Sequence, residues 1–591
     1  MKVLFHTKLS QPLVRLQSLA MCLGVNSECI DVGTVGSLLL AVREAILAKT
    51  RGIVLDVATL KEKCDEAELR ELAACLLRHK IVVLLLVSDV DRSATRFLSI
   101  LTNNAILGIE RIEQASRVNF PASSRALSKE LSSYSYPRKS AKGISLILSW
   151  ARKAQVVMTL DVSPTFVCAG VGEANVFVWA TDVVFNVSKL LTAEIEFEQA
   201  TEQYIPAIIF LRFAFGERCW HNPRPGAGFI IDDPLLRRSY GFIKFPQLLA
   251  SAKKHQYHIT LAFIPWNHWR TRTKDAQMFL SYSDCFSPCA HGCDHTNQEF
   301  RSTDYERLLR MIFAARQRME RHQTRTGLTS EPLMVCPQEQ YSLEALRAFA
   351  DSRQFLGLIC TACIPRNLST PQIRGADLLL PAQDSFYGFP VFKRHYWNGM
   401  AAFAMALFFG KPAILVEHHE FLRNGSVAPE EFAQKLAELR PDLQWKSLAE
   451  TVTATHARRR VSGDKWEVRF FTDTFQLESE LKQPIDLKLF RRMAETTRIE
   501  RVRVDGREVP FSREDGFLML ETHLDYPQTL SVKVDCRSVK PTKFYSPGVR
   551  YQASIALRRG LSELRDNVIA RNPVILRASK RLMKSFKQAA S

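Results

Sequence analysis

The chain lacks a disulfide framework, a membrane-length apolar run and a glycine-rich phosphate loop, and each absence excludes a class of protein. Its 13 cysteines are odd in number and scattered, which suits small buried apolar residues in a reducing compartment rather than a secreted, cross-linked scaffold. Its longest apolar stretches, Ile81–Val87 and Met400–Gly410, hold 7 and 11 residues, whereas a transmembrane helix needs about 20. At the N-terminus, Lys2 is followed at once by strand-like Val3-Leu4-Phe5, and the run near Leu19–Val25 has no cleavage site. This is not the pattern of a secretory signal, and a cytoplasmic protein is expected. Glycine (25) and proline (26) are near average in a chain of 591 residues, so collagen-like and low-complexity architectures are excluded. What is present is ordinary globular composition, 46% hydrophobic and 24% charged, enough for about three to five domains.

Charge is unevenly spread. Net charge is +19, and residues 537–591 carry 13 Lys and Arg against two acidic residues, Glu563 and Asp566. Near the end, Ile575, Leu582, Met583 and Phe586 fall on one helical face, with Arg577, Lys580, Arg581 and Lys584 on much of the rest. Such a basic amphipathic helix suits an anionic membrane surface or an acidic partner. Peripheral contact with the inner face of the membrane is the expectation. Nucleic acid is disfavoured, because no recognition module or basic-aromatic strand pattern accompanies the charge.

Hydrophobic periodicity divides the chain. Residues 1–130 alternate short apolar strands (Gly52–Val57, Ile81–Ser88) with amphipathic helices (Gln11–Leu23, Asp65–Arg78), the pattern of an α/β domain with a parallel sheet. Polar Ser132–Lys142 reads as a linker into a mixed region, 145–222. From Phe229 the strand–loop–helix rhythm resumes to about residue 425, as in a β/α barrel. Over 463–536 the period becomes two, with strands at Trp466–Thr472, Ile499–Val504, Gly516–Thr522 and Thr529–Val534 and a hairpin turn at Asp505-Gly506. This predicts an antiparallel, β-sandwich-like domain. A basic helical tail, 550–591, follows.

Polar residues gather where the central strands end. Ile231 runs into Asp232-Asp233-Pro234, Ala290 into His291-Gly292-Cys293-Asp294-His295, Cys336 into Pro337-Gln338, and Val416 into Glu417-His418-His419. In β/α folds catalytic groups collect at such endings. His291 and His295, four apart, would share one face of a helical turn, and Asp233 would complete a two-His, one-Asp set for a catalytic cation. Asp232 beside it could act as base, and His418 or His419 as acid. The cation would generate a nucleophile and polarise a carbonyl.

In order, these motifs resemble the NodB-like polysaccharide deacetylases, carbohydrate esterase family four. The counterparts are Phe229-Ile230-Ile231-Asp232-Asp233, His291-Gly292-Cys293-Asp294-His295, Val335-Cys336-Pro337-Gln338 and Leu415-Val416-Glu417-His418. The resemblance covers about residues 225–425. It implies a distorted (β/α)7 barrel and removal of acetyl groups from a polysaccharide or its precursor. Asp232 would be base, Asp233, His291 and His295 ligands of a divalent metal (Zn2+ first; Co2+, Ni2+ or Mn2+ as alternatives), and His418 acid, with His419 competing for that role. The family's third motif carries an Arg that braces the base; here Met334 and Val335 stand instead, with Gln338 or Arg394 as substitutes. Its Asp-Trp motif has only Tyr396-Trp397 as a counterpart. Trp266 and Asn267, on the loop after the next strand, suit sugar stacking and hydroxyl recognition, and Pro337, Gln338 and Arg394 would also face the saccharide.

Two other readings remain open. Cys289, His291, Cys293 and His295 alternate and could hold a structural zinc from one face of a strand, and Cys360-x2-Cys363 is a lone pair. The barrel could also serve as a non-catalytic glycan-binding or membrane-surface scaffold.

Overall fold

The computed structural model describes residues 3–6, 11–30, 35–58, 65–152, 154–172, 174–365, 373–479, 482–572 and 574–575. The basic residues Arg577, Lys580, Arg581 and Lys584, and Leu582, Met583 and Phe586 of the helical face they border, lie outside the described residues. Among the described residues no helix is long and apolar enough to cross a membrane. The chain divides into two compact units: one of residues 1–221, 370–380 and 457–467, the other of 222–369, 381–456 and 468–591.

The first unit is built on a nine-stranded mixed sheet. Its order is Ser27–Ile30, Val3–His6, Gly52–Asp56, Val82–Val87, Ala174–Ala180, Ser163–Val171, Ala154–Leu160, Arg117–Asn119 and Ser135–Pro137. The first five run parallel and the rest antiparallel. Gly52–Asp56 is buried along its whole length, as a strand covered on both faces must be. Helix Glu66–Leu77 starts where Asp65 and Glu68 form a reciprocal capping box. One expectation fails here. Ser135–Pro137, inside the expected linker, is a sheet strand, because buried Tyr136 packs on Phe120 with ring centroids 6.0 Å apart.

The second unit contains a sheet of eight parallel strands, the short Gln444–Trp445 beside β1 and seven others: β1 (Gly226–Asp232), β2 (Ile259–Phe263), β3 (Phe286–His291), β4 (Glu331–Val335), β5 (Leu358–Cys360), β6 (Val391–Lys393) and β7 (Ala413–Glu417). The seven numbered strands pair in the order β6-β5-β4-β3-β2-β1-β7. A further bridge joins His395, just beyond β6, to Leu415 of β7, so the sheet curls round on itself. Helices between the strands, including Phe245–His255, Tyr305–Thr326 and Leu343–Ser352, cover its outside with apolar faces. In this parallel sheet all C-terminal strand ends face one way, which gathers side chains from distant sequence at one mouth.

The same unit ends in antiparallel strands. Thr474–Glu478, Thr529–Cys536, Ile499–Val504 and Arg507–Val509 make one sheet, and Ile485–Arg492, Phe517–Leu524 and Ser512–Glu514 pair in another. Asp505 (φ 49°) and Gly506 (φ 80°) form the hairpin turn, both left-handed as a type I′ turn requires. Helix Val549–Leu564 follows and runs into a wider turn at Arg565–Ile569.

Candidate metal centre

β1 delivers two carboxylates. Asp232 is its last residue and is buried. Asp233 then takes a left-handed backbone (φ 70°), a conformation that costs a non-glycine residue energy and is characteristic of functional sites. This bend carries the Asp233 carboxylate towards two histidines: Oδ1 lies 3.6 Å from His291 Nε2 and 3.3 Å from His295 Nε2. One ligand atom from each of the three falls within 4.8 Å of the others. A tetrahedral cation bound at about 2.0–2.1 Å separates its ligands by about 3.3 Å, so the spacing suits a shared ion.

The donor chemistry also fits. His291 Nδ1 lies 3.1 Å from the Val335 carbonyl; donating its N–H there leaves Nε2 with a lone pair. Asp233 Oδ1 is buried without a hydrogen-bond partner, an expensive arrangement unless something else meets it. Burial, then the charge of His295, holds His291 well below the ordinary imidazole range, and burial also lowers His295. Both are therefore neutral at pH 7, as ligands must be. Burial resists ionisation of Asp233, but His295 and then His291 outweigh it and its carboxyl titrates below the usual range.

The two histidines do not share a helical turn. His291 closes β3, Gly292 (φ 71°) and His295 (φ 53°) are both left-handed, and the loop between them folds back until the ring centroids are 4.8 Å apart. Gly292 is required. A Cβ there would sit 1.9 Å from Glu299 Oε1. That buried carboxylate accepts the backbone N–H of Cys293 at 2.8 Å and of Asp294 at 3.1 Å, and burial pushes its pKa up to about 7. The break at Gly292 also ends the strand alternation on which the Cys–His zinc alternative rested. Among the described residues only Asp233, His291 and His295 form a metal-ligating cluster. Cys360 is instead hydrogen-bonded to Cys336.

Asp232 is held by Arg394, whose Nη1 lies 3.0 and 2.9 Å from the two carboxylate oxygens while Nη2 donates to the Cys336 carbonyl at 3.2 Å. Of the two substitutes for the missing third-motif Arg, Arg394 thus meets Asp232. Gln338 instead accepts the Gln298 N–H at 2.6 Å, and Pro337 is buried. The two adjacent histidines diverge. His418, whose ring stacks on Tyr396 with centroids 6.3 Å apart, bears by charge on Asp233 and Glu417. His419 turns away to Asp566, 3.3 Å distant. Trp266 and Asn267 belong to a packed loop: Trp266 donates its backbone N–H to Cys293, its ring faces the Arg318 guanidinium at 5.2 Å, and Asn267 is buried.

Several contributors carry no local sequence signal. Asp294 is fully buried; Arg318 from the long helix meets it at 2.5 Å, and Tyr545 and Tyr551 donate hydroxyls at 2.5 and 3.2 Å. Arg559 donates to the His295 carbonyl at 3.3 Å. Only the recurrence of aromatic and basic residues in 545–565 hints at them.

No family model matches the sequence, and no curated protein does. Among solved structures the chain is similar to the carbohydrate deacetylase Agd3, at 10% identity over 91% of this chain and 99% of that one, with a TM-score of 0.45. It is also similar to a family 4 carbohydrate esterase from Streptomyces lividans (13% identity, 37% of this chain and 91% of that one, TM-score 0.24). A third similar structure is a variant of the peptidoglycan deacetylase PdaC from Bacillus subtilis (10% identity, 39% and 91%, TM-score 0.24). The solved structures to which the chain is similar thus include carbohydrate deacetylases.

Proposed function

We propose that the chain is a metal-dependent hydrolase that removes an acetyl group from a saccharide, built on a NodB-like (β/α)7 barrel over about residues 225–425. The observation that supports this most is the meeting of three metal-donor side chains, Asp233, His291 and His295, with a separate carboxylate, Asp232, clamped by Arg394. A divalent cation there, Zn2+ or a similar ion, would supply Lewis acidity for the acyl carbonyl and lower the pKa of an attacking water.

The chain's own residues do the rest. Asp232 takes the proton from the attacking water, and Arg394 fixes its carboxylate in one orientation through paired contacts. His418 returns a proton to the leaving nitrogen or oxygen. Val335 sets the tautomer of His291, and Glu299 shapes the turn that presents His295.

The test combines metal analysis with acetate release by the purified full chain. It should retain about one divalent ion per molecule. Asp232→Asn should lower turnover by about a thousandfold with metal content unchanged, the scale expected for loss of a general base. His295→Ala should lose the metal. A chain that binds no divalent ion and gains no activity from added Zn2+ or Co2+ would end this reading.

A further inference from the structure

Arg559 sits on helix Val549–Leu564, 7% exposed, beside the metal donors. Its Nη2 donates to the His295 carbonyl, and its Nε is buried with no hydrogen-bond partner among the described residues. Its charge is felt by Asp233, Tyr240 and Glu299. Four other carboxylates around the mouth are already matched: Asp232 by Arg394, Asp294 by Arg318, Glu563 by Arg270, and Asp566 by Arg565 and His419.

The helix that carries Arg559 is fixed on both sides of it. Tyr551 reaches Asp294, Arg270 pairs with Glu563, Tyr240 donates to Asp566 at 2.7 Å, and the Gly241 N–H donates to Asn567 at 2.9 Å. The guanidinium is therefore held rigidly, desolvated and under-partnered. A buried cation in this state gains little from a neutral hydroxyl and much from an oxyanion, which accepts charge-assisted hydrogen bonds in a planar fork.

We propose that Arg559 binds an oxyanion on the saccharide close to the acetyl group, so that the substrate class is an acidic acetylated saccharide bearing a carboxylate or a phosphate ester. This rests on the hydrolase reading and adds the substrate's charge to it.

The test compares acetate release by the full chain on chitotetraose (neutral), a hyaluronan tetrasaccharide (carboxylate) and N-acetylglucosamine 1-phosphate (phosphate). An acidic probe should exceed the neutral one in kcat/KM by about thirtyfold, the size of a charge-assisted contact. The acidic probe that is favoured identifies the anion. Arg559→Gln should abolish the preference and Arg559→Lys should keep part of it. Equal losses on all three probes, or no loss on any, would overturn the proposal. Calorimetric binding of the same probes to Asp232→Asn separates the two ideas. Arg559-dependent affinity for an acidic probe without acetate release by the unmodified chain would keep the anion site and remove the hydrolase. Acetate release without an Arg559-dependent preference would do the reverse. No binding and no release would remove both.

Discussion

The curled sheet holds a buried carboxylate–histidine cluster at each end, and the two are finished differently. At the N-terminal end, Glu331 of β4 accepts Thr260 at 2.8 Å, Ser287 on the same oxygen and the Ala449 N–H on the other. His258 lies between the Asp284 carbonyl and Ser287, at 2.9 and 2.7 Å. Every contact there is spent inside the protein. At the C-terminal end Asp233 Oδ1 faces Nε2 of both histidines and has no hydrogen-bond partner. Residue types are alike at the two ends, with Asp233 the more exposed of the two carboxylates. Unspent bonding capacity separates a site from a strut.

Substitutions can break or sharpen this contrast. The largest stability effect is expected for Arg394→Met. Removing one partner of a buried ion pair leaves Asp232 uncompensated and should cost about 3–5 kcal/mol in urea unfolding, much of it regained when Asp232→Asn is added. Next comes pH. Burial lowers His322, on the helix behind the mouth, to about 4. Its unfolded pKa is near 6.5, so the unfolded chain binds the extra proton first and stability falls as pH drops from 6.5 towards 4. The loss reaches about 3 kcal/mol, and His322→Gln should flatten that slope in pH-dependent unfolding. Smallest is Glu331→Gln, which should cost about 1–3 kcal/mol by disturbing a satisfied network while metal content and turnover per folded molecule stay as before. Metal loss from Glu331→Gln would show that the two ends are not independent and that the contrast is misdrawn.

Much of the barrel was legible in the sequence because its strands are apolar runs that stop at polar residues. The ordered motifs named Asp233, His291 and His295, which the structure brings together, and Arg394 as one of two braces for Asp232. The helical turn for His291 and His295 was a misreading of period, and the corrective signal was present: Gly292 sits inside the spacing. Ser132–Lys142 misled because polar composition outweighed a single buried Tyr136. Strand Ile485–Arg492 went unassigned although Ile485, Leu487 and Leu489 alternate with Asp486 and Lys488 and are buried. Glu299, Arg318, Tyr545 and Arg559 could not be foreseen, since a single contact between residues far apart in sequence leaves no periodic trace.

The partners of Asp294 have a consequence for biosynthesis. Tyr545 and Tyr551 follow it by 251 and 257 positions. During translation the histidine loop emerges from the ribosome long before the hydroxyls that satisfy its buried acid, so the loop can reach its final form only after residues 545–551 have been made. Ion loading would then be a late event in maturation, and a fragment ending after residue 425, though it includes every proposed ligand, should capture metal poorly.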